Sequence, residues 1–537
     1  LPSRHCSALH SRSLPLPSPS PGAMGLNDIL AALYSCLPET PSSPAASLTA
    51  ATSNNGGEDR ISALPDDILR GVVSRLPAKD AARTAALSPR WRGLWRSTPL
   101  VLEDIHLLIR PSGQRGGFEF DSSALAGAVS RVLASHPGPF HWVHISSNCM
   151  AGQEEALAKW LRLLVAKGVE TLVLVNRPWP LDAALPASIL RCASLRRLYL
   201  GVWHFPDTSR ANAPPRGPGV FPRLQELGIC HTIMQERDLE YLLACSPELK
   251  TFALILSYIA PSRVSISSSS LCCVLVWLSM PYEVDVVAAP RLQRLILQSI
   301  GTRRTTKVKI GHAPELTVLG YLETANHVLQ IGNTIIKAGV TKVAPNAVVP
   351  SVKVLALKVD FEVAEEVKTL LSFLRCFPQV ETLHVMSSSN ENEEEEEEEE
   401  EEQDGKDAGD GSGEQLISPK FWKEAGPIGC VESQVKKVVL DKFTVGANEL
   451  GFLKFVMARA QVLKRVVLVL DPGMSPTAAK EALSKLASQV PSAKCASENV
   501  EFMGLPRPMA AWSYQIASDL SLSDPFPAEG GILVERP

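Results

Sequence analysis

Two small constellations in this 537-residue chain have residue types that could do chemistry. His141 and His144 stand three apart around Trp142, a spacing at which two imidazoles can share a metal ion. Asp404, Asp407 and Asp410 follow an unbroken run of ten glutamates, Glu393 to Glu402, and carboxylate oxygens are the ligands of calcium. Neither set completes a site. The histidines have no acid or cysteine set beside them and alternate with Val143 and Ile145, as strand residues do. The aspartates are three apart rather than two, and no glutamate stands where an EF-hand loop takes its bidentate ligand. Successive like charges repel and build no core, so 389–415 reads as an exposed, disordered acidic insert.

The sequence carries no Gly-x-Ser-x-Gly elbow, no phosphate-cradling Gly-x4-Gly-Lys-Ser/Thr loop, no His-Glu-x-x-His and no dinucleotide glycine pattern. A non-catalytic protein is expected, with no cofactor and no metal. Eleven scattered cysteines, odd in number and without a CxxC pair, indicate neither a disulfide framework nor a zinc ribbon. A reducing compartment, cytoplasm or nucleus, is expected. No Asn-x-Ser/Thr sequon occurs, and no apolar stretch approaches the roughly 18 residues that span a bilayer. The net charge of -4 becomes +6 without the glutamate run, too weak and dispersed a basic balance for nucleic acid. The chain begins at Leu1, and Leu1 to Pro21 is rich in Ser, Pro and Arg with no acid before Asp28. That composition brings an organellar transit peptide into consideration. The preferred reading is translation from Met24 and a disordered leader over 1–58.

Elements must then be found that present a binding surface. From Leu64 the chain reads Leu-Pro-Asp-Asp-Ile-Leu-Arg-Gly-Val-Val-Ser-Arg-Leu-Pro. Pro65 suits a helix start, where its missing N–H is not needed, and Asp66 and Asp67 favour the positive end of the helix dipole. Ile68, Leu69, Val72, Val73 and Leu76 gather on one face of this helix, and Pro77 stops it. A second short helix is expected over Lys79 to Ala86. A third starts with Ser88 as N-cap and Pro89 behind it, placing Trp91, Leu94 and Trp95 on a shared side. So small a unit buries only part of its apolar surface, and exposed Leu and Ile rimmed by charge make a partner site.

Leu64-Pro65-Asp66-Asp67-Ile68-Leu69, Leu76-Pro77, Asp80, Arg83-Thr84, Leu87-Ser88, Arg90-Trp91-Arg92 and Leu94-Trp95 resemble the F-box of plant F-box proteins along its full length. The resemblance implies docking to a Skp-type adaptor, and through it a cullin. The adaptor contacts it implies are Leu64, Pro65, Ile68, Leu69, Val72, Leu76, Pro77, Leu87, Trp91 and Trp95. For the two tryptophans, the core of the small domain is an equal reading.

Downstream one phrase recurs: an apolar residue, two variable, an apolar, one variable, an apolar. Its clear copies are Leu195, Leu198, Leu200; Leu224, Leu227, Ile229; Leu249, Phe252, Leu254; Leu292, Leu295, Leu297; and Leu316, Leu319, Tyr321. Less regular ones are Leu271, Val274, Val276; Val352, Leu355, Leu357; and Val380, Leu383, Val385. The first six anchors in chain order, at 195, 224, 249, 271, 292 and 316, are spaced about 20 to 29 residues apart, as leucine-rich repeats require. Each phrase predicts a short strand in a parallel stack, with helix-like stretches such as 235–244 and 364–377 backing it on the convex side. The repeats lack the usual asparagine and are irregular, as in the plant F-box group, and the register near 330–350 is left open.

After the acidic insert, Cys430, Val435, Val438, Leu440, Phe443, Glu449, Leu450, Phe452, Leu453, Phe455 and Ala460, closing on Leu463, Val466 and Leu468, resemble the FBD segment of many plant F-box/leucine-rich-repeat proteins. Strand, helix over about 448–460 and strand are implied. The glycine-rich approach to Glu449 is reduced to Gly446.

The expected fold class is α/β: a three-helix F-box over 59–104, then a leucine-rich-repeat solenoid over 105–388. After the insert come FBD-like final repeats over 416–500 and a tail over 501–537. The expected function is substrate recognition in a Skp-cullin-F-box ubiquitin ligase, with the target protein on the repeats. The alternatives are a ligase-independent repeat scaffold and a small-molecule receptor built on the array.

Overall fold

The computed structural model of the chain describes residues 26–41, 60–107, 122–176, 183–209, 220–299, 304–338, 347–388, 417, 419–489, 495–506 and 512–526. The acidic insert, most of the leader, residues 339–346 and the chain after Phe526 lie outside them.

Three helices, Asp66–Val73, Ala78–Thr84 and Pro89–Ser97, form the N-terminal module. Ser88 caps the third as expected, its hydroxyl accepting from the Trp91 N–H at 3.4 Å with Pro89 in the first turn. That helix runs directly into the strand Leu100–Glu103, and a bridge between Pro77 and Val101 ties the module to the sheet that follows.

The sheet has fourteen parallel strands among the described residues, from Leu100–Glu103 to Glu501–Leu505, in chain order apart from segments that leave for a second sheet. The middle anchor of every recurring phrase sits on one unbroken row. Leu198 pairs with Leu227, Leu227 with Phe252, Phe252 with Val274, Val274 with Leu295, Leu295 with Leu319, Leu319 with Leu355, and Leu355 with Leu383. The row continues through Val438 and Val466 of the C-terminal repeats. All of these side chains belong to one buried core. Side chains two apart point to the same face of a strand, so each phrase turns its last two anchors inward together.

One phrase departs from this. Tyr321 does not follow Leu319 inward; the register shifts there and Leu322 takes the inner place, paired with Leu357. Gly320 makes the shift possible, with φ at +151° and no room for a side chain, since a Cβ would stand 2.5 Å from that of Ala356. Tyr321 is thereby turned to the opposite face of the sheet.

Helices back the sheet at both ends, including Ser122–Ser135, Glu154–Ala166, Glu236–Ala244, Ala364–Cys376 and Ala447–Arg459. In the middle the backing is a second sheet of five strands, Arg263–Ser267, Glu283–Ala288, Thr306–His312, His327–Ile331 and Thr334–Ile336. The expected helices at 235–244 and 364–377 are present, and between them strands do the backing. The first three of these strands lie between anchors only 21 to 24 residues apart, too short for a helix with its two turns. The stretch from 316 to 352 is longer and holds the last two strands, and the intervening stretches alternate. Val264, Ile266, Val284, Val286, Val308 and Ile310 point to the core. On the outer surface Arg263 bonds Glu283 and Asp285, each at 2.9 Å, and Lys309 bonds Glu283 at 2.8 Å.

The expectation of a disordered leader through 58 is corrected for residues 26–41. Leu26–Cys36 is a helix that buries Leu33 and Cys36, with Leu37 beyond it, against the sheet face opposite the helices, hereafter the front face.

Candidate functional site

In the helical module the apolar stripe divides. Leu69 and Val73 point inward and are fully buried, whereas Ile68 and Val72, one turn apart, are 53% and 42% exposed. Five apolar positions spread over three turns span too wide an arc for one buried face, and the outer edge stays in solvent. Leu64 and Pro65, just before the helix, are exposed, as is Leu87 before the third. Leu76 is half-buried against the core. Pro77 and Trp91 are buried, with Leu69. Of the ten expected contact residues, Leu69, Pro77 and Trp91 are therefore supports of the surface and are not on it. Trp95 is half-buried and packs its ring 5.2 Å from His136 of the first repeats, seating the module on the array.

Two residues of the surface were missed. Ile61 is 61% exposed three positions before Leu64. Arg90 holds the segment between them: its guanidinium donates to the Ser62 carbonyl, to the Leu64 carbonyl at 2.7 Å and to Asp66 Oδ1 at 2.8 and 2.6 Å. Trp91 adds a bond from Nε1 to Ser62 Oγ at 3.2 Å. The sequence shows the guanidinium in the Arg90-Trp91-Arg92 step but not the carbonyls it reaches, which lie 26 to 28 residues earlier in the chain. Ion pairs Asp67–Arg70 and Asp80–Arg83, at 2.9 and 2.7 Å, stand on the module's exposed surface.

The C-terminal repeats follow the expected order: strand Lys437–Phe443, helix Ala447–Arg459, strand Arg465–Leu470. Buried Glu449 replaces a glycine-rich turn as the organiser. Its carboxylate accepts from the Gly446 N–H at 2.9 Å, the Thr444 N–H at 3.1 Å and the Thr444 hydroxyl at 2.9 Å. Burial raises its carboxyl above the ordinary range against those bonds.

Among the described residues no three His, Cys, Asp or Glu side chains gather as metal ligands. His141 and His144 lie on the strand Phe140–Ile145. The His141 ring contacts the Pro99 carbonyl at 3.2 Å, and burial pulls the His144 imidazole down to about 4. Burial pushes the thiols of Cys36, Cys192, Cys273, Cys376 and Cys430 up to about 12, so they stay protonated and are poor nucleophiles at neutral pH. The cavity beside Glu323 and His327 holds about 10 Å³, room for one water molecule.

The front face is not open. Besides the helix Leu26–Cys36, the segment 512–526 lies across it, with Trp512 4.8 Å from the Trp277 ring and 5.3 Å from Tyr321, and Phe526 5.1 Å from Tyr321. Tyr514 and Tyr199 share a hydrogen bond of 3.0 Å. Arg294, 2% exposed on the sheet, donates to the carbonyls of Ala517, Asp519 and Leu522 at 2.7, 3.0 and 2.6 Å. Asp524 meets His384 Nε2 at 3.0 Å and Lys437 Nζ at 3.8 Å.

Comparison with known proteins agrees with this order of parts. The F-box domain model matches residues 61–102 and the FBD model residues 423–468. The model of the LRR repeats of FBD-associated F-box protein At5g56370 matches 157–385. F-box/FBD/LRR-repeat protein At1g13570 of Arabidopsis thaliana is 27% identical over 62% of this chain and 76% of its own length. FBD-associated F-box protein At5g56370, from the same plant, is 29% identical over 36% of this chain and 43% of its own. F-box/FBD/LRR-repeat protein At5g22700, also of that plant, is 53% identical over 10% of this chain and 12% of its own. The last two matches span less than half of those relatives. An exposed apolar edge on a three-helix module, a parallel strand ladder and a Glu449-organised final repeat stand in the order in which the F-box, LRR-repeat and FBD models match this chain, and the name of its relative At1g13570 carries the same three parts.

Proposed function

We propose that the chain is the substrate-recognition subunit of a Skp-cullin-F-box ubiquitin ligase. The F-box docks a Skp-type adaptor, the array holds a target protein, and the complex acts by keeping target lysines at high local concentration near a ubiquitin-loaded enzyme. The observation that carries this reading is the row of apolar side chains left in solvent at Leu64, Ile68, Val72 and Leu87. Beneath them Leu69, Val73, Trp91 and Leu94 are buried in a core continuous with that of the array, so their exposure is not a shortfall of folding. An apolar edge rimmed by ion pairs has the make-up of a protein interface. The same reading places the protein in the cytoplasm or nucleus, which a fluorescent fusion of the full-length protein tests.

The experiment is co-purification with a Skp-type adaptor, comparing the intact chain with a Leu64→Asp, Ile68→Asp double variant. Capture by the intact chain and loss in the variant are expected. An intact chain that captures no adaptor, or a double variant that captures it unchanged, refutes adaptor docking and leaves the repeats as a ligase-independent scaffold.

A further inference from the structure

The chain's own residues 512–526 sit on the front face in the way a bound peptide sits on a receptor. The segment adds no strand to either sheet. It closes on itself, Trp512 Nε1 donating to the Pro525 carbonyl at 2.8 Å and the Trp512 ring lying 5.6 Å from Phe526, so its ends meet as in a compact surface loop. What fixes it to the sheet is recognition chemistry: aromatic contacts at Trp277 and Tyr321, three carbonyls on the Arg294 guanidinium, and one carboxylate between His384 and Lys437.

The floor beneath it argues the same way. A lid that never leaves is best backed by apolar side chains, because a buried cation stabilises less than a hydrophobic residue of its size. Among the apolar side chains of this floor, Trp277, Ile296, Tyr321 and Ala356, stand Arg294, His384 and Lys437 under the segment, polar groups that water solvates well when the face is open. Burial by itself would raise the Asp524 carboxyl, yet His384, with Lys437, holds it below the ordinary carboxylate range, so it sits there as an anion matched to that floor.

We propose that the front face of the array is a peptide-binding surface which residues 512–526 occupy as an intramolecular ligand, and that a target segment of the same chemistry displaces them. The partner is a protein segment with two or three aromatic side chains around a tight turn, carbonyls turned outward for Arg294, and an acidic residue for His384 and Lys437. The proposal rests on the reading of the chain as a target-binding subunit. It places the site on the sheet and makes the C-terminal segment its competitor.

The test uses the full chain and a fluorescent synthetic peptide of residues 512–526. In a Trp512→Ser, Tyr514→Ser, Phe526→Ser variant the segment loses its ring contacts, and saturable peptide binding at least about tenfold tighter than to the intact chain is expected. Adding Arg294→Ala to that variant removes three charge-assisted hydrogen bonds and is expected to weaken binding about tenfold or more. A released variant that melts as the intact chain does but takes up no peptide overturns the proposal, as does an intact chain that binds the peptide equally well. A released variant that loses its cooperative melt overturns it too, by showing the segment to be part of the core. In the intact chain, the amides of Ala517 and Asp519 are expected to exchange with solvent faster than those of the strand Arg294–Gln298. Equal protection counts against displacement. Adaptor capture, read in parallel, keeps the two failures apart, because the F-box lies outside every substitution made here.

Discussion

Ile68 and Leu69 are neighbours in the chain with opposite roles, and substituting them separates interface from core. Ile68 is 53% exposed and Leu69 fully buried. Burying an Ile side chain completely is worth about 1.5–3 kcal/mol, so the half still exposed offers a partner about 1 kcal/mol. In Ile68→Asp that gain is lost and a carboxylate faces an apolar partner surface, which costs about 2 kcal/mol more. A total near 3 kcal/mol is a weakening of about 100-fold or more in adaptor Kd. The same change also gives up the half of the Ile68 side chain already packed in the module, worth about 1 kcal/mol of folding stability, still less than a core cavity costs. Leu69→Ala should do the reverse: a cavity costing about 2–5 kcal/mol, a lower melting temperature, and near-native affinity where the module is still folded. Calorimetric titration with a purified Skp-type adaptor at low temperature, paired with thermal melting followed by tryptophan fluorescence, reads both quantities. Undiminished affinity in Ile68→Asp, or a melt shifted as far as that of Leu69→Ala, refutes the assignment of Ile68 to the surface.

Arg90→Ala frees the Ser62 to Asp66 segment, and since the Arg90 side chain is 42% exposed its loss is expected to weaken adaptor binding by only about 1 kcal/mol, or fivefold. Arg90→Lys should recover little, because one ammonium cannot span the carbonyls that the guanidinium fork reaches; the same titration checks both. Glu449→Ala removes the acceptor of the Thr444 and Gly446 N–H groups at a part-exposed turn and should lower stability by about 1–2 kcal/mol in urea unfolding, with Glu449→Gln closer to the parent. His144 sets a pH dependence: its folded pKa is depressed to about 4, below the unfolded value, so the unfolded chain takes up the proton first. Stability is complete above the unfolded value and declines as pH falls from about 6.5 towards 4, by at most about 3 kcal/mol from this group. His144→Phe should flatten the fall in urea midpoint between pH 7.5 and 5; an unchanged slope refutes the role given to His144.

The parts whose rules are local were legible. Ser88 with Pro89 specified a helix start from its own hydrogen bond and backbone angle, and the leucine phrases specified strands because inward-pointing residues must recur every second position. Their common row, from Leu198 to Val466, follows from each repeat burying its apolar side against the next. Within the module, sequence placed Ile68 and Leu69 on one face, and only packing of the second and third helices divided them. Tyr321 turned the other way because Gly320 and Ala356 approach too closely for the phrase to continue.

The front face shows the division most sharply. A partial signal existed, since strands such as Thr171–Val175 and Cys273–Trp277 are apolar throughout, and parallel strands read that way when both faces are covered. What covers them, residues 26–37 and 512–526, is separated from those strands by more than a hundred residues on one side or the other, and no local rule links Trp512 to Trp277 or Ala517 to Arg294. Sequence alone determined the repeating unit, its inward face and the three-helix module, because each is set by spacing within a few turns of chain. Tertiary structure alone decided which apolar side chains stay in solvent and what lies over the sheet, because both depend on which distant segments come to share a surface.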